Sequence, residues 1–163
     1  MTTREIRVFG DPVLRSACDP IRVGDPRAVA LVDDLLDTVR LPGRAGVAAN
    51  QIGVGLRAFS YNVDGIVGYI INPVVVEVSG EPELVDEGCL SVPGFYFPRT
   101  RYPFARVTGI DLAGAPVELS GMGLIAQALQ HETDHLDGHL FIEGLDQATK
   151  KEAMRLIRMS PWY

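Results

Sequence analysis

The feature that most constrains this 163-residue chain is a pair of histidines, His131 and His135, with Glu132 beside the first. Four residues of α-helix turn through about 400°, so the two imidazoles project from one face of a helix. One metal ion can bind two rings placed in this way, and Glu132 then lies beside the ion, free to transfer protons. The pattern predicts a hydrolytic metal helix and leaves the third ligand open.

Length and composition predict one compact globular domain over residues 1–163, since 47% of the residues are hydrophobic and 22% are charged. The net charge of −6, from 15 basic and 21 acidic residues, argues against DNA binding or a main role on RNA. No apolar run reaches the roughly 18 residues of a membrane helix, and the first residues lack a signal-peptide core. We therefore expect a cytoplasmic protein with no membrane contact, and reduced thiols at Cys18 and Cys89.

Helical segments are predicted at both ends and near the histidines. Asp25 and Pro26 are typical of a helix start, and apolar residues at helical spacing follow it to the Leu41-Pro42-Gly43 break. The face of this helix that is predicted to be buried consists of Val29, Val32, Leu35, Leu36 and Val39. The metal helix is expected over 121–137, ended by Gly138, and a C-terminal helix over 146–159.

The middle of the chain is predicted to form strands. We expect strands over 56–61, 66–71 and 74–78, with a break at Asn72-Pro73, and a hairpin over 105–119. The acidic segment 81–87 is predicted to be a loop, Pro93-Gly94 a turn, and 44–55 a loop of small residues. Strands flanked by helices indicate an α+β fold, with antiparallel or mixed β-sheets packed around a buried metal-binding helix, an N-terminal helix and a C-terminal helix.

Burial of the metal helix is predicted from its two apolar sides. One side carries Leu124 and Ala128 with the two histidines, and the other carries Ile125, Leu129 and Leu136. Buried imidazoles need partners because unpaired buried polar groups are costly, and a metal ion satisfies both rings at once.

Cys89, in the segment Glu87-Gly88-Cys89-Leu90-Ser91, is the best candidate for the third ligand. A thiolate with two imidazoles completes a three-ligand site that keeps one position open for water. As an alternative, Cys89 is a small buried core residue. Downstream, His139 and Glu143 are the other possible third ligands.

The segment 44–51 supplies a further candidate. It is apolar and rich in small residues, which lets its backbone approach a neighbour or a ligand. Gln51 can donate a hydrogen bond without carrying charge, and this property suits an oxyanion site.

Together these segments resemble the peptide deformylase family. That family carries a Gly-x-Gly-x-Ala-Ala-x-Gln loop, a Glu-Gly-Cys-Leu-Ser loop and a Gln-His-Glu-x-Asp-His-Leu helix, in this order. The second and third are intact here as 87–91 and 130–136, and the start of the chain, 10–15, is also similar. The first loop matches at Gly46, Ala48, Ala49 and Gln51. One departure is that Arg44 stands where the family has its first loop glycine.

The resemblance implies removal of the formyl group from the N-terminal formylmethionine of new polypeptides, with release of formate. It implies that Cys89, His131 and His135 hold one divalent ion that activates water. Glu132 would take the proton of that water and pass it to the leaving amine. Gln51 and the backbone N–H of Leu90 would stabilise the oxyanion.

The resemblance also implies the remaining ligands. Ala45, Val85, Leu124 and Ala128 would line a methionine pocket, with backbone groups of Gly46 and Gly88 binding the peptide. Fe²⁺ is the expected ion in the cell, and the ligand set also accepts Zn²⁺, Ni²⁺ or Co²⁺. A basic C-terminal helix with Lys150, Lys151, Arg155 and Arg158 suggests contact with the ribosome.

Two other functions are compatible with the histidine pattern alone. A zinc endopeptidase shares the metal helix but usually takes its third ligand downstream, as His139 or Glu143 would allow. A non-enzymatic metal-binding module is the second alternative, and in such a module Glu132 is dispensable.

Overall fold

The computed structural model describes residues 2–163, which form seven strands and three α-helices. The helices are α1 Pro26–Val39, α2 Leu124–Leu136 and α3 Gln147–Arg158. The strands are β1 Gly46–Ala48, β2 Ala58–Val63, β3 Ile66–Ser79, β4 Glu83–Cys89, β5 Val92–Arg101, β6 Phe104–Ile110 and β7 Pro116–Met122. Short 3₁₀ turns lie at Pro12–Arg15, Ala49–Ile52 and Phe141–Gly144.

The strands form two antiparallel sheets. A five-stranded sheet has the order β1-β2-β3-β6-β7, and β4 and β5 form a separate two-stranded ribbon. The predicted α+β class, with antiparallel sheets and helices near both ends of the chain, is confirmed. The one parallel contact in the described part of the chain is an isolated bridge between Asp19 and Leu56.

The five-stranded sheet lies between α1 and α2. Successive residues of a strand point to opposite faces, so each central strand packs against α1 with one set of side chains and against α2 with the other. Ala58 and Ile71 belong to the core cluster that contains the buried face of α1. Their neighbours Phe59 and Ile70 belong to the cluster that contains Leu129 of α2. The apolar contacts on the second face of the sheet therefore hold α2, the helix that carries the histidines, in place.

Helix α1 begins as predicted, but its buried face is different. The Asp25 side chain accepts a hydrogen bond from the Arg27 backbone and caps the helix. Val29 was predicted to be buried and is 56% exposed, because Ala28 and Leu31 occupy the stripe that faces the sheet. At about 100° per residue, the buried positions of α1 form one stripe, and Val29 points away from that stripe.

The predicted break at Asn72-Pro73 is wrong, because β3 continues through it as one strand. The pairing of β3 with β6 shifts register between Ile71 and Val74, which marks an irregularity of the β-bulge type. Asn72 has φ 52° there, and its side chain makes two 2.8 Å hydrogen bonds with the backbone of Ile21. Polar and proline residues thus form a bulge here rather than a loop.

The predicted loop at 81–87 and the predicted turn at Pro93-Gly94 are also wrong. Residues 83–89 form β4, and the chain reverses at Leu90 and Ser91, between Cys89 and its partner Val92. Pro93 and Gly94 lie inside β5, where the register shifts between Gly88 and Cys89. Backbone hydrogen bonds hold this two-stranded ribbon together, so its strands do not need alternating apolar side chains. The acidic sequence of β4 therefore lacks the apolar alternation from which a strand is predicted.

Two smaller differences concern the segments that flank the site. The segment 44–55 was predicted to be a loop and contains β1 and the 3₁₀ turn Ala49–Ile52. Helix α2 begins at Leu124 rather than 121, because Gly121 and Met122 pair with β6. It ends as predicted, with Gly138 at φ 86° in the left-handed conformation that stops a helix. Within 2–163 no helix combines the length and the apolar character needed to cross a membrane.

Candidate metal centre

Three side chains from two elements meet in one cluster: Cys89 from the end of β4, and His131 and His135 from α2. The Sγ atom of Cys89 lies 3.3 Å from Nε2 of His135, and the two histidine Nε2 atoms lie 3.1 Å apart. The ligand atoms all lie within 4.8 Å of one another. The i,i+4 spacing of the histidines therefore gives the expected geometry, and the ribbon adds a thiol.

The cluster fits one divalent ion. In a tetrahedral site with ordinary bond lengths, two nitrogen ligands lie about 3.3 Å apart, and nitrogen and sulfur lie about 3.6 Å apart. The observed separations of 3.1 Å and 3.3 Å are close to these values. Two imidazole nitrogens this close need a shared proton or a metal ion between them, and a metal ion would also bind the neighbouring thiolate, so the donor set fits chemically.

A buried ion-pair network orients His131. Nδ1 of His131 lies 2.8 Å from Oε2 of Glu87, which leaves Nε2 directed towards the cluster. Arg101 donates to both carboxylate oxygens of Glu87 at 2.7 Å, and its third nitrogen donates to Asp134 at 2.8 Å. Burial alone would raise the pKa of Glu87, but hydrogen bonds from Arg101 and His131 lower it to about 2. Glu87 is therefore a permanent anion.

The two histidines have opposite protonation tendencies. Burial by itself lowers the pKa of His131, but the neighbouring Cys89 and Glu87 raise it well above its usual value. Burial and the nearby charge of His131 lower the pKa of His135 well below its usual value. His135 is thus a neutral imidazole, the form that binds metals.

Glu132 lies beside the cluster, and its environment suits proton transfer. It is 4% exposed, and its Oε2 atom has no hydrogen-bond partner among residues 2–163. Burial, partly offset by the charge of His131, raises the pKa of Glu132 to about 7. Gly46 makes room for it, because a Cβ atom on Gly46 would lie 2.6 Å from Oε1 of Glu132.

Gln51 is held against the cluster by both ends of its amide. Its Oε1 accepts a 2.9 Å hydrogen bond from the Ala48 backbone, which directs the NH₂ group outward. That group lies 3.7 Å from Sγ of Cys89 and 3.1 Å from Oγ of Ser91. Gln51 is 1% exposed, so an uncharged donor is fixed beside the thiol.

A cavity of about 420 Å³ opens next to Glu132, and most of the predicted substrate residues line it. The predicted substrate residues in its lining are Ala45, Gly46, Gly88, Leu124 and Ala128, and the lining also contains the predicted catalytic and metal-binding residues Gln51, Cys89, Leu90, His131 and Glu132. Val85 is not part of the lining, and Asp86 is. Leu124 is 50% exposed at the first turn of α2, so this end of the cavity is open to solvent.

Several site residues were not predicted from the sequence. Tyr96 lines the cavity and packs so closely on Gly88 that a Cβ atom there would lie 2.5 Å from its ring. Arg101 was missed because a single arginine in a strand has no spacing signature. Glu87 could have been found from the Glu87-Gly88-Cys89 segment. In a strand, residues two apart point to the same face, so Glu87 lies on the same face of β4 as Cys89.

The two downstream candidates for the third ligand lie elsewhere. His139 and Glu143 are paired with each other at 2.8 Å, and their side chains are 61% and 45% exposed. Neither belongs to the cluster formed by Cys89 and the two histidines. The cluster thus takes its third donor from upstream, which separates this site from the endopeptidase arrangement considered above.

Fold and site together define a metal-dependent hydrolase with a Cys-His-His cluster. A sequence profile described as polypeptide deformylase matches residues 3–151. The peptide deformylase of Acidothermus cellulolyticus is 48% identical over 99% of this chain and 89% of its own length. Peptide deformylase 1 of Corynebacterium efficiens is 44% identical over 100% of this chain and 99% of its own length. A crystal structure of a peptide deformylase from Legionella pneumophila matches with TM-score 0.88 and 36% identity, over 96% of this chain and 94% of that one.

The chain therefore belongs to the polypeptide deformylase family, as its sequence motifs suggested. Members of this family are hydrolases that remove the N-formyl group from nascent polypeptides. Family membership and the Cys-His-His cluster together support a bound divalent metal ion.

The ion-pair network predicts that Glu87 strengthens metal binding through His131. We expect Glu87→Gln to weaken binding of Co²⁺ about 10- to 100-fold, because the ring loses the anion that fixes its orientation. Competition with a chelator on the metal-free protein measures this affinity. Glu77→Gln, which removes an exposed glutamate paired with Arg106, is the matched control. Equal Co²⁺ affinity in both variants would show that the network has no effect on the metal.

Proposed function

We propose that residues 1–163 act as one catalytic domain that deformylates N-formylmethionyl peptides, with Cys89, His131 and His135 holding the divalent ion. The observation that carries this proposal is the buried Oε2 of Glu132, which has no hydrogen-bond partner among residues 2–163 and belongs to a side chain that lines the cavity. A carboxylate in that position can exchange protons with whatever occupies the cavity. A divalent ion in such a cluster supplies Lewis acidity, which activates water towards an amide carbonyl.

Glu132 serves first as base and then as acid. Its Oε2 accepts a proton from the attacking water as the new bond forms to the formyl carbon. The same proton then passes to the nitrogen as the carbon–nitrogen bond breaks, which yields formate and a free α-amine. A pKa of about 7 suits both roles near neutral pH, since a carboxyl group with this pKa both accepts and donates readily.

Gln51 and the Leu90 backbone N–H are proposed to stabilise the oxyanion that forms in between. Oε1 of Gln51 is engaged by Ala48, so its NH₂ group is the end that faces the reacting carbonyl. Leu90 lines the cavity at the reversal between β4 and β5. Donors fixed before the reaction lower the barrier because they need not reorganise as charge develops.

Substrate binding is proposed to use the cavity walls. Ala45, Leu124 and Ala128 give an apolar surface for the methionine side chain, and backbone groups of Gly46 and Gly88 hold the peptide. β1 is an edge of its sheet, and β4 has a free edge in the two-stranded ribbon. An extended peptide can therefore pair with either strand. Val85, which lies outside the lining, would act only through its neighbours.

The proton-transfer role predicts that Glu132→Gln loses formate release while keeping its metal. We expect kcat for a formyl-Met-Ala peptide to fall by at least about 100-fold, because the amide cannot accept a proton. Formate detection and metal analysis on the same sample measure both properties. Glu118→Gln, on the exposed surface of β7, should retain wild-type activity. Turnover near the wild-type rate in Glu132→Gln would rule out this mechanism.

Fe²⁺ is proposed as the ion in the cell. Two imidazoles and a thiolate accept Fe²⁺ as well as Zn²⁺, Ni²⁺ and Co²⁺, so the ligand types alone do not choose among these ions. Cys89 is partly exposed next to the cavity, so oxygen can reach the ligand set.

The iron form is expected to be sensitive to air. Protein purified without oxygen should contain about one iron per chain and lose formate release during aerobic storage, because Fe²⁺ oxidises easily. Protein reloaded with Ni²⁺ is the control and should keep its activity under the same storage. Full activity of the iron form after long exposure to air would contradict this proposal.

Contact with the ribosome is proposed from α3, and a cytoplasmic location is proposed from the action on nascent polypeptides. Lys150, Lys151, Arg155 and Arg158 are exposed on this helix, and Arg155 pairs with Glu152 at 2.6 Å. The opposite side of α3 is fixed in the core by Ala153 and Ile157. The basic surface can therefore contact RNA phosphates without rearrangement of the helix.

Charge reversal on α3 is expected to weaken ribosome binding at least about tenfold. The variant Lys150→Glu/Lys151→Glu/Arg158→Glu keeps the buried side of the helix, so the fold should persist. Co-sedimentation with purified ribosomes at two salt concentrations measures binding. A variant with three arginines reversed outside α3 (Arg22, Arg40 and Arg106) controls for net charge. Equal loss of binding in both variants would remove α3 as the contact.

A further inference from the structure

The rim of the cavity carries two charges that have no ion-pair partner within residues 2–163. These are Arg44, two residues before β1, and Asp86 on β4. The other carboxylates of the lining are buried: Glu87 is paired with Arg101, and Glu132 lies beside the metal cluster. A substrate peptide that enters the cavity therefore meets, among the described residues 2–163 of its lining, a cation and an anion that are not in ion pairs.

The Arg44 side chain is fixed rather than free in solvent. Its Nη1 donates a 3.1 Å hydrogen bond to the backbone oxygen of Thr38, in the last turn of α1. A cation is favoured at the C-terminal end of a helix, where the last carbonyl groups concentrate negative charge. Arginine carries five N–H donors, so most of this guanidinium remains available to a ligand.

Two carboxylates that precede Arg44 in the sequence are engaged by other arginines. Asp34 is paired with Arg4 at 2.8 Å, and Asp37 is paired with Arg40 at 3.5 Å. Arg44 also adopts no left-handed backbone angle, so the glycine of the family pattern is not required by the backbone here. The arginine is thus accommodated without strain and its charge is uncompensated.

We propose that Arg44 is a specificity-determining residue that favours formylated peptides with an acidic side chain among the residues after methionine. The inference rests on the proposed function, because it assumes that such peptides occupy the cavity. Arg44 supplies the attraction, and Asp86 on the other strand opposes it. The selectivity arises at the rim of the cavity, where the side chains that follow the methionine would lie. It does not involve the buried residues that carry out the reaction.

The test compares aspartate with its neutral isostere asparagine in blocked peptides. Three pairs of substrates carry the residue at the second, third or fourth position, as in formyl-Met-Ala-Asp-Ala-amide, and the amide removes the terminal carboxylate. The measured quantity is the kcat/KM of each Asp peptide divided by that of its Asn partner. Wild type is compared with Arg44→Gln, Arg44→Lys, Asp86→Asn and Arg40→Gln, the last being an exposed arginine outside the cavity lining.

We expect Arg44→Gln to lower this ratio about three- to fivefold at one or more positions, as for a partly exposed charge pair. Arg44→Lys should retain most of the preference and Arg40→Gln all of it, whereas Asp86→Asn should raise the ratio. The preference of wild type should shrink in high salt, because salt screens charges at an exposed rim.

Unchanged ratios in Arg44→Gln at all three positions would overturn the proposal, as would an equal change in Arg40→Gln. Loss of turnover on every peptide in Arg44→Gln would show that the residue supports the loop instead, and would also overturn it. Failure of the proposed function is distinguishable, because wild type would then release no formate from the Asn peptides.

Discussion

The buried ion-pair network between Arg101, Glu87 and His131 is the interaction on which the site depends. Arg101 and Glu87 are each 5% exposed, and Arg101 also reaches Asp134 on α2. Removing one partner of a buried pair leaves an uncompensated charge and costs about 3–5 kcal/mol. The network therefore holds the ribbon that carries Cys89 against the helix that carries both histidines. The network thus fixes the orientation of His131 and ties together the two elements that supply the three candidate ligands.

Close approach of backbone and side chain shapes the rest of the centre. Gly46 brings β1 so near to Glu132 that no larger residue fits, and this contact closes one side of the carboxyl group. Gly88 performs the same role for Tyr96 on the ribbon. The glycine on β1 thus helps to bury the Glu132 carboxyl group, and this burial raises the pKa of Glu132 to about 7. The acid–base property follows from packing and not from the residue type alone.

The helical motif was the most predictable part of the protein, because helical spacing is local. It placed His131, Glu132 and His135 together, and the Gly138 stop was also correct. Cys89 could be identified as a ligand candidate only from the motif around it, because its contact with α2 is set by tertiary structure and not by local spacing. The acidic strand β4 and the bulge at Asn72 were missed because their backbone pairing leaves no apolar alternation in the sequence. Arg101 was missed because its partners are defined only by the fold.

Charge is distributed differently in the interior and at the rim of the cavity. In the interior, Glu87 is compensated on two sides and is therefore insensitive to what enters the site. At the rim, Arg44 is anchored by a carbonyl oxygen, which orients its charge without neutralising it. A compensated interior preserves one geometry for the formyl group, which is the same in every substrate. An uncompensated rim can respond to the side chains that differ between substrates, so preference can change there at little cost to the chemistry.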